Sequence, residues 1–314
     1  MPPAISIKGL NKSYGNFQAL KDLNLEIEEG EFFGFLGPNG AGKTTTINIL
    51  TGLTKYNSGT VKVLGYDVTK NYREARRLIG LVPQEFNFDF FFNIREILVY
   101  YAGYFGVSKE EAEKRADRLL KEFDLYAHRN KIFREISGGM KRRLLIARGI
   151  IHQPKILILD EPTAGVDVEL RRGMWAYLKN LNKKGITIFL TTHYIEEAER
   201  LAKRIGIINH GQIIALDKKE KLIEELHKIN LDVTLAKPVS RLPAGLKKYR
   251  AVLIEDNKIR FVCDKIPDKN KILRNVKKTG LKITSIETSK SSLEDIFIEL
   301  TGIGNGKNRV LHTF

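Results

Sequence analysis

The chain has 314 residues, 42% of them hydrophobic, and a formal net charge of +16. That length suits two domains and that composition an ordinary packed core, which excludes a disordered chain. No apolar run approaches the roughly eighteen residues of a membrane span. Met1-Pro-Pro-Ala-Ile-Ser-Ile-Lys8 lacks the charged start and apolar stretch of a secretion signal, so the chain is expected on the cytosolic side.

In chain order, Ile5–Leu10 and Leu23–Ile27 predict short strands. Tyr14-Gly15 lies between them, and its ring suits either ordinary packing or stacking on a base. Glu31–Leu36 reads as a buried strand and Thr44–Leu53 as a helix. Between them the run Gly37-Pro38-Asn39-Gly40-Ala41-Gly42-Lys43-Thr44-Thr45 fits G-x-x-x-x-G-K-[ST] in the strand–loop–helix context that the motif requires. Its glycines let successive N–H groups point into one concavity, and the helix behind adds its positive end. Lys43 is placed to reach β- and γ-phosphates and the Thr44 hydroxyl to ligate Mg²⁺.

Gly59–Val63 predicts a strand, Asn71–Leu78 a polar helix, and Ile79–Val82 a strand ending at Pro83-Gln84. Gln84 could ligate Mg²⁺, hold a water, or be a plain loop amide. Phe86–Phe92 is dense in aromatics without a helical period, which suits an exposed partner face or a local core equally. Ile94, Leu98, Tyr101, Ala102 and Phe105 fall at helical spacing, as do Ala112, Ala116, Leu119, Leu120 and Phe123 behind a Ser108 cap. These helices predict a helical subdomain, residues 86–152, inserted in an α/β domain. Ser137-Gly138-Gly139-Met140 opens a further helix, with Ser137 as N-cap and the glycines baring backbone N–H groups for an anion. Lys141-Arg142-Arg143 reads as a solvated face.

Lys155–Asp160 reads as a buried parallel strand ending in Asp160 and Glu161. Acids at such a strand end lie at the ligand crevice, where Asp160 can hold Mg²⁺ through water and Glu161 can polarise an attacking water. Capping of the next helix is the alternative use of the pair, and Pro162 makes it awkward. Asp167 follows in the loop. Thr187–Thr192 is another buried strand, and His193 at its end can donate to a γ-phosphate or serve only the structure. Ile205–Ala215 predicts a hairpin turning at His210-Gly211, and Asp217–His227 a helix.

From residue 231 the pattern changes. A strand (Leu231–Ala236), a hairpin across Asp256-Asn257, a helix (Lys269–Lys278), a strand (Lys282–Glu287) and a helix (Ser291–Leu300) predict a small α+β domain over residues 231–301, read as an interaction or regulatory module. Residues 302–314 read as a loose tail. A lone Cys263 excludes an internal disulfide and a cysteine zinc cluster, and its alternating run suits a small core residue. Residues 231–314 hold seventeen Lys and Arg against nine Asp and Glu, half of the net charge. Such an excess suits an anionic leaflet, nucleic acid or a solvated surface.

Taken in order, these pieces resemble the ATP-binding subunit of ABC transporters over residues 4–230. Gly37–Thr45 is similar to the Walker A loop, Gln84 to the Q-loop, Ser137-Gly138-Gly139-Met140 to the signature and Ile156–Glu161 to the Walker B strand. Ala164-Gly165-Val166-Asp167 is similar to the D-loop, His193 to the switch histidine and Tyr14 to the aromatic that stacks on adenine. Met140 stands where the family usually has glutamine. The strings SGGMKRRLLIAR, DEPTAGVD and SLEDIFIELTG resemble the drug-export and type-2 ABC exporter branch. The resemblance implies a P-loop NTPase core over residues 1–230 and the cofactors ATP and Mg²⁺. It implies a head-to-tail pairing with a second nucleotide-binding domain, most simply a homodimer. Each ATP would then lie between one copy's Gly37–Thr45 and the other's Ser137–Gly139. It also implies a separate integral-membrane permease and a place on the inner face of the cell membrane, with Glu161, His193 and Gln84 catalytic. The alternatives are a soluble ABC ATPase acting on nucleic acid or ribosomes, and the ATPase of an importer. The single cassette, without a long heptad insertion, argues against nucleic acid as partner.

Overall fold

The computed structural model describes residues 2–88, 91–164, 166–225, 229–239, 241–247, 249, 251–263, 269–290 and 293–301. The expected tail 302–314, Asp89 and Phe90 of the aromatic run, Gly165, and the side chain of Cys263 lie outside the described residues. The chain divides into two units, Met1–Asp217 and Lys218–Phe314. The sequence alone set the boundary at 230, beyond a helix that falls in the second unit.

In the first unit, β1 (Ile5–Tyr14) and β2 (Phe17–Ile27) form one hairpin with Tyr14 opposite Phe17. Both run longer than their apolar alternation predicts, because the Gly15-Asn16 turn, with Gly15 at φ +56°, closes the ladder through solvent-facing residues. β3 (Phe32–Leu36) leads to α1 (Lys43–Leu50). That helix stops short of the expected Leu53. Gly52 turns left-handed at φ +71°, and the N–H groups of Leu53 and Thr54 donate back to Asn48 O at 2.7 and 3.0 Å.

β4 (Ser58–Val63), β5 (Tyr66–Asp67), α2 (Tyr72–Arg77) and β6 (Ile79–Val82) follow. Residues 86–152, expected to form a helical subdomain, contain α3 (Ile94–Tyr104), α4 (Lys109–Glu122) and α5 (Gly138–Ile150). α3 starts from a reciprocal cap: Glu96 N donates to Asn93 Oδ1 at 2.9 Å and Asn93 N to Glu96 Oε2 at 3.0 Å. Then come β7 (Ile156–Asp160), α6 (Val168–Lys183), β8 (Thr187–Thr192), α7 (Ile195–Leu201), β9 (Arg204–Asn209) and β10 (Gln212–Lys218).

Six strands make one sheet in the order β10-β9-β3-β8-β7-β6, with β3 parallel to β8 and β9, and β7 parallel to β6 and β8. Every residue of β3, β7 and β8 is buried, as strands covered on both faces must be. Phe33, Phe35 and Phe189 pack together there, with ring centroids 5.5–6.3 Å apart. A second sheet, β2-β1-β4-β5, is antiparallel. α5 lies against β6 through two glycines: a Cβ at Gly80 would strike the carbonyl oxygen of Gly149, and one at Gly149 would meet Val82 Cγ2 at 2.9 Å.

The second unit holds α8 (Lys219–Glu225), β11 (Ile229–Leu235), α9 (Ala244–Lys247), β12 (Ala251–Glu255), β13 (Lys258–Cys263), α10 (Lys269–Lys278), β14 (Ile283–Lys290) and α11 (Leu293–Thr301). Its sheet runs β12-β13-β11-β14, antiparallel throughout. Leu231, Val233, Ile259 and Phe261 share a core with Ile272 and Val276 of α10. Between these apolar positions, Asp232 takes a two-pronged bond from Arg260, 2.8 Å at each oxygen.

His152, just past α5, stacks on Phe105 with centroids 3.7 Å apart and planes 9° apart. Its Nε2 lies 3.0 Å from Ile79 O, a contact that makes Nε2 the protonated nitrogen of a neutral ring. Burial lowers its pKa to about 4. The folded value thus lies below the unfolded one, about 6.5, so this stability is full above pH 6.5 and is lost as pH falls toward 4. The expected loss is up to about 3 kcal/mol. Thermal melts from pH 7 to pH 5 should show Tm falling more steeply in the wild type than in His152→Gln; equal slopes would remove the assignment.

Candidate functional site

Residues 37–45 join the end of β3 to the start of α1. Gly40 and Gly42 take φ +79° and +112°, which L side chains rarely adopt. A Cβ on Gly42 would also meet Leu20 Cδ2 at 2.7 Å, and one on Gly37 would meet Ile208 O at 2.5 Å. The loop thus has its shape because its glycines stay bare. Lys43 is 5% exposed, and its Nζ donates to Gly37 O at 2.7 Å and to Pro38 O at 3.3 Å.

A cleft of about 390 Å³ opens beside the loop. It is lined by Tyr14, Phe17, Ala19, Pro38, Asn39, Gly40, Gly42, Lys43, Thr44, Thr45, Gln84 and Glu161. Gly37 and Ala41 are buried parts of the same loop. Tyr14 is 47% exposed at the rim, with Lys12 Nζ 4.4 Å from its ring centre.

The two acids at the end of β7 part company. Asp160 is 4% exposed; its Oδ1 accepts from Thr191 Oγ1 at 2.6 Å and its Oδ2 from Thr44 Oγ1 at 3.1 Å. Two oxygen donors therefore meet at the foot of the cradle. That donor set fits Mg²⁺, which takes one or two protein oxygens and completes its shell with phosphate and water. Glu161, 6% exposed, turns the other way, with its backbone left-handed at φ +48°. Three side chains converge on it: Lys43 Nζ at 3.3 Å from Oε1, and His193 Nδ1 at 3.0 Å and Gln84 Nε2 at 3.4 Å from Oε2. The His193 contact, aided by Lys43 and opposed by burial, holds the carboxyl below the usual carboxylate range. Helix capping falls to a different acid: Leu170 N donates to Asp167 Oδ1 at 2.9 Å at the start of α6.

Ser137, Gly138 and Gly139 are not among the residues lining this cleft. Ser137 and Gly138 are exposed at the start of α5, where Ser137 Oγ caps Met140 N at 3.3 Å. The aromatic run shows both expected behaviours. Phe88 is 6% exposed against Phe133, with centroids 4.5 Å apart, while Phe91 is 91% exposed.

The solvated face expected at Lys141-Arg142-Arg143 is a correction. Arg142 is 4% exposed and donates to Gln84 O at 3.1 Å, Pro83 O at 3.5 Å and Ala164 O at 3.3 Å. It sits inward because the carbonyls of these irregular segments need donors. Arg148 does likewise for Asn87, with 3.0 Å bonds to its backbone and side-chain oxygens, and lies 4.5 Å from the Phe88 ring centre. Burial pulls both guanidinium groups below their ordinary pKa. Sequence reasoning also missed Glu197, fully buried, whose Oε1 accepts from Thr163 Oγ1 and Trp175 Nε1, each at 3.0 Å. Burial pushes its carboxyl up from the usual range. The helical period held the signal: Arg142 shares a face with Ile146 and Gly149, and Glu197 with Leu201, all buried or against the sheet.

The model of the ABC transporter family matches residues 20–164, and that of the C-terminal domain of DrrA1-3-like ATP-binding proteins matches residues 220–301. Nod factor export ATP-binding protein I of Burkholderia lata is 37% identical, over 96% of this chain and 98% of that one. The protein of the same name from Rhizobium johnstonii is 38% identical over 96% of each chain. Among solved structures, a dimeric ATP-binding cassette in a post-hydrolysis state with ADP and Pi is 32% identical. Its TM-score is 0.63, over 68% of this chain and 98% of that one. A P-loop NTPase fold of the ATP-binding cassette type is thereby shown for this chain.

Gly42→Ala puts a side chain on a left-handed residue against Leu20. It should weaken ATP binding at least tenfold in titration calorimetry, with the circular dichroism of the fold kept.

Proposed function

Because this chain belongs to the family of ABC transporter ATP-binding subunits, related to export ATP-binding proteins over nearly its whole length, we propose that two copies, seated on the inner face of the cell membrane, clasp ATP between them and drive export through a separate integral-membrane permease. Cassettes of this family are ATPases, and this chain is one of them. The observation that carries the assignment of its residues is the convergence of Lys43, Gln84 and His193 on Glu161 beside the glycine loop.

On this reading the bare N–H groups of the 37–45 loop and the start of α1 cradle the phosphates. Lys43 reaches the β- and γ-phosphates, and Tyr14 stacks on the adenine. Thr44, Asp160 and Gln84 would hold Mg²⁺, which would supply positive charge against the phosphates. Glu161 orients the attacking water and takes its proton. His193 donates to the γ-phosphate. Ser137–Gly139 lie outside their own chain's cleft, which supports their use by the partner copy, as does the dimeric state of a solved relative. Exposed aromatics after Gln84, Phe91 above all, suit a contact with the permease.

Lys43→Ala should lower ATP turnover by about 10²-fold or more, read by phosphate release. Glu161→Gln should turn over at least about 10²-fold more slowly and, with Mg-ATP, elute as a stable dimer. A Glu161→Gln variant that stays monomeric at saturating ATP would falsify the two-copy site.

A further inference from the structure

The Gln84 segment, the loop after Glu161 and the helix after His193 are far apart in sequence, yet buried polar groups tie them into one chain. From α5, Arg142 spans two of them, through Gln84 O at 3.1 Å and Ala164 O at 3.3 Å. From α7, four residues beyond His193, Glu197 holds the adjoining residue of the same loop, Thr163 Oγ1, at 3.0 Å. Thr163 is fully buried, and Trp175 Nε1 fixes the same carboxylate oxygen at 3.0 Å. The loop is thus gripped at successive residues, two and three positions past Glu161, from two different helices. Among the described residues, Arg142 has no ion pair, so its buried charge is spent on carbonyl oxygens of the two loops.

We propose that Arg142 is a positioning residue that, with Glu197, locks Thr163-Ala164 between the Gln84 segment and the His193 helix and thereby sets where the Glu161 carboxylate points. Because Arg142 stands on the helix that opens with Ser137-Gly138-Gly139, a shift of that helix shifts Gln84 and Glu161 together. Misplacing a base by a fraction of an ångström lowers the rate of the chemical step while leaving the phosphate cradle intact. The effect must therefore fall on kcat and spare KM. The inference rests on the proposed role of Glu161.

The test is steady-state ATP hydrolysis by full-length wild type, Arg142→Met, Arg142→Lys, Thr163→Val and the Arg142→Met/Thr163→Val double variant, with Tm measured for each. Arg142→Met and Thr163→Val should each lower kcat about tenfold, with KM for ATP within twofold. The double variant should lose little more than the worse single one, because both changes free the same loop. Arg142→Lys, which can still reach one carbonyl, should recover part of the loss. Arg148→Met removes an equally buried arginine of the same helix that touches neither Gln84 nor the loop. It should lower Tm comparably and leave kcat within twofold. Unchanged kcat in folded Arg142→Met or Thr163→Val, strictly multiplicative losses in the double variant, or an equal loss in Arg148→Met would overturn the proposal. Should Arg142→Met fail to fold, Arg142→Lys and Thr163→Val carry the same kcat test. A Glu161→Gln variant as active as wild type would instead remove the reading beneath it.

Discussion

The contact between Lys43 and Glu161, 3.3 Å apart and each nearly closed to water, constrains everything around it. Neither charge is tolerated there alone. Removing one partner of such a pair leaves the other buried and uncompensated, at a cost of about 3–5 kcal/mol. The fold must therefore deliver a lysine from one loop and a carboxylate from another to the same point. His193, Gln84 and two backbone carbonyls complete the shell that lets both charges persist.

Strand order accomplishes this. β3 ends at the glycine loop, β8 lies beside it and ends at His193, and β7 lies beside β8 and ends at Asp160-Glu161. Parallel neighbours finish at the same edge of the sheet, about 5 Å apart, so residues over a hundred positions apart in sequence become contacts at one crevice. The crossover helices supply the second layer: α5 brings Arg142 and α7 brings Glu197 onto the loops that carry the proposed chemistry, and α6 brings Trp175 to hold Glu197.

Much of this was legible in the residues. The glycine loop, the two strand-end acids and the Ser137 cap each have a local physical cause, and β6 and β8 have the ends that the apolar pattern predicts. What was not legible depends on partners remote in sequence. Arg142 reads as a surface residue because its neighbours Lys141 and Arg143 are charged; only the carbonyls of Gln84 and Ala164 explain its burial. Glu197 sits in a run of acids, Glu196-Glu197, and only one of the two meets Thr163 and Trp175. The ends of β1 and β2 were missed because the hairpin closes through polar residues, which alternation does not mark. The aromatic run suited either burial or exposure, and the structure divides these between Phe88 and Phe91.

The left-handed backbone of Glu161 has a further consequence. A non-glycine residue at φ +48° carries strain of about 1 kcal/mol or more, which glycine would relieve outright and asparagine in part. Glycine would shed that strain but leave Lys43 buried and uncompensated, and the second cost is the larger, so the charge pair holds the strained backbone in place. A strained backbone and a buried cation thus depend on the same carboxylate.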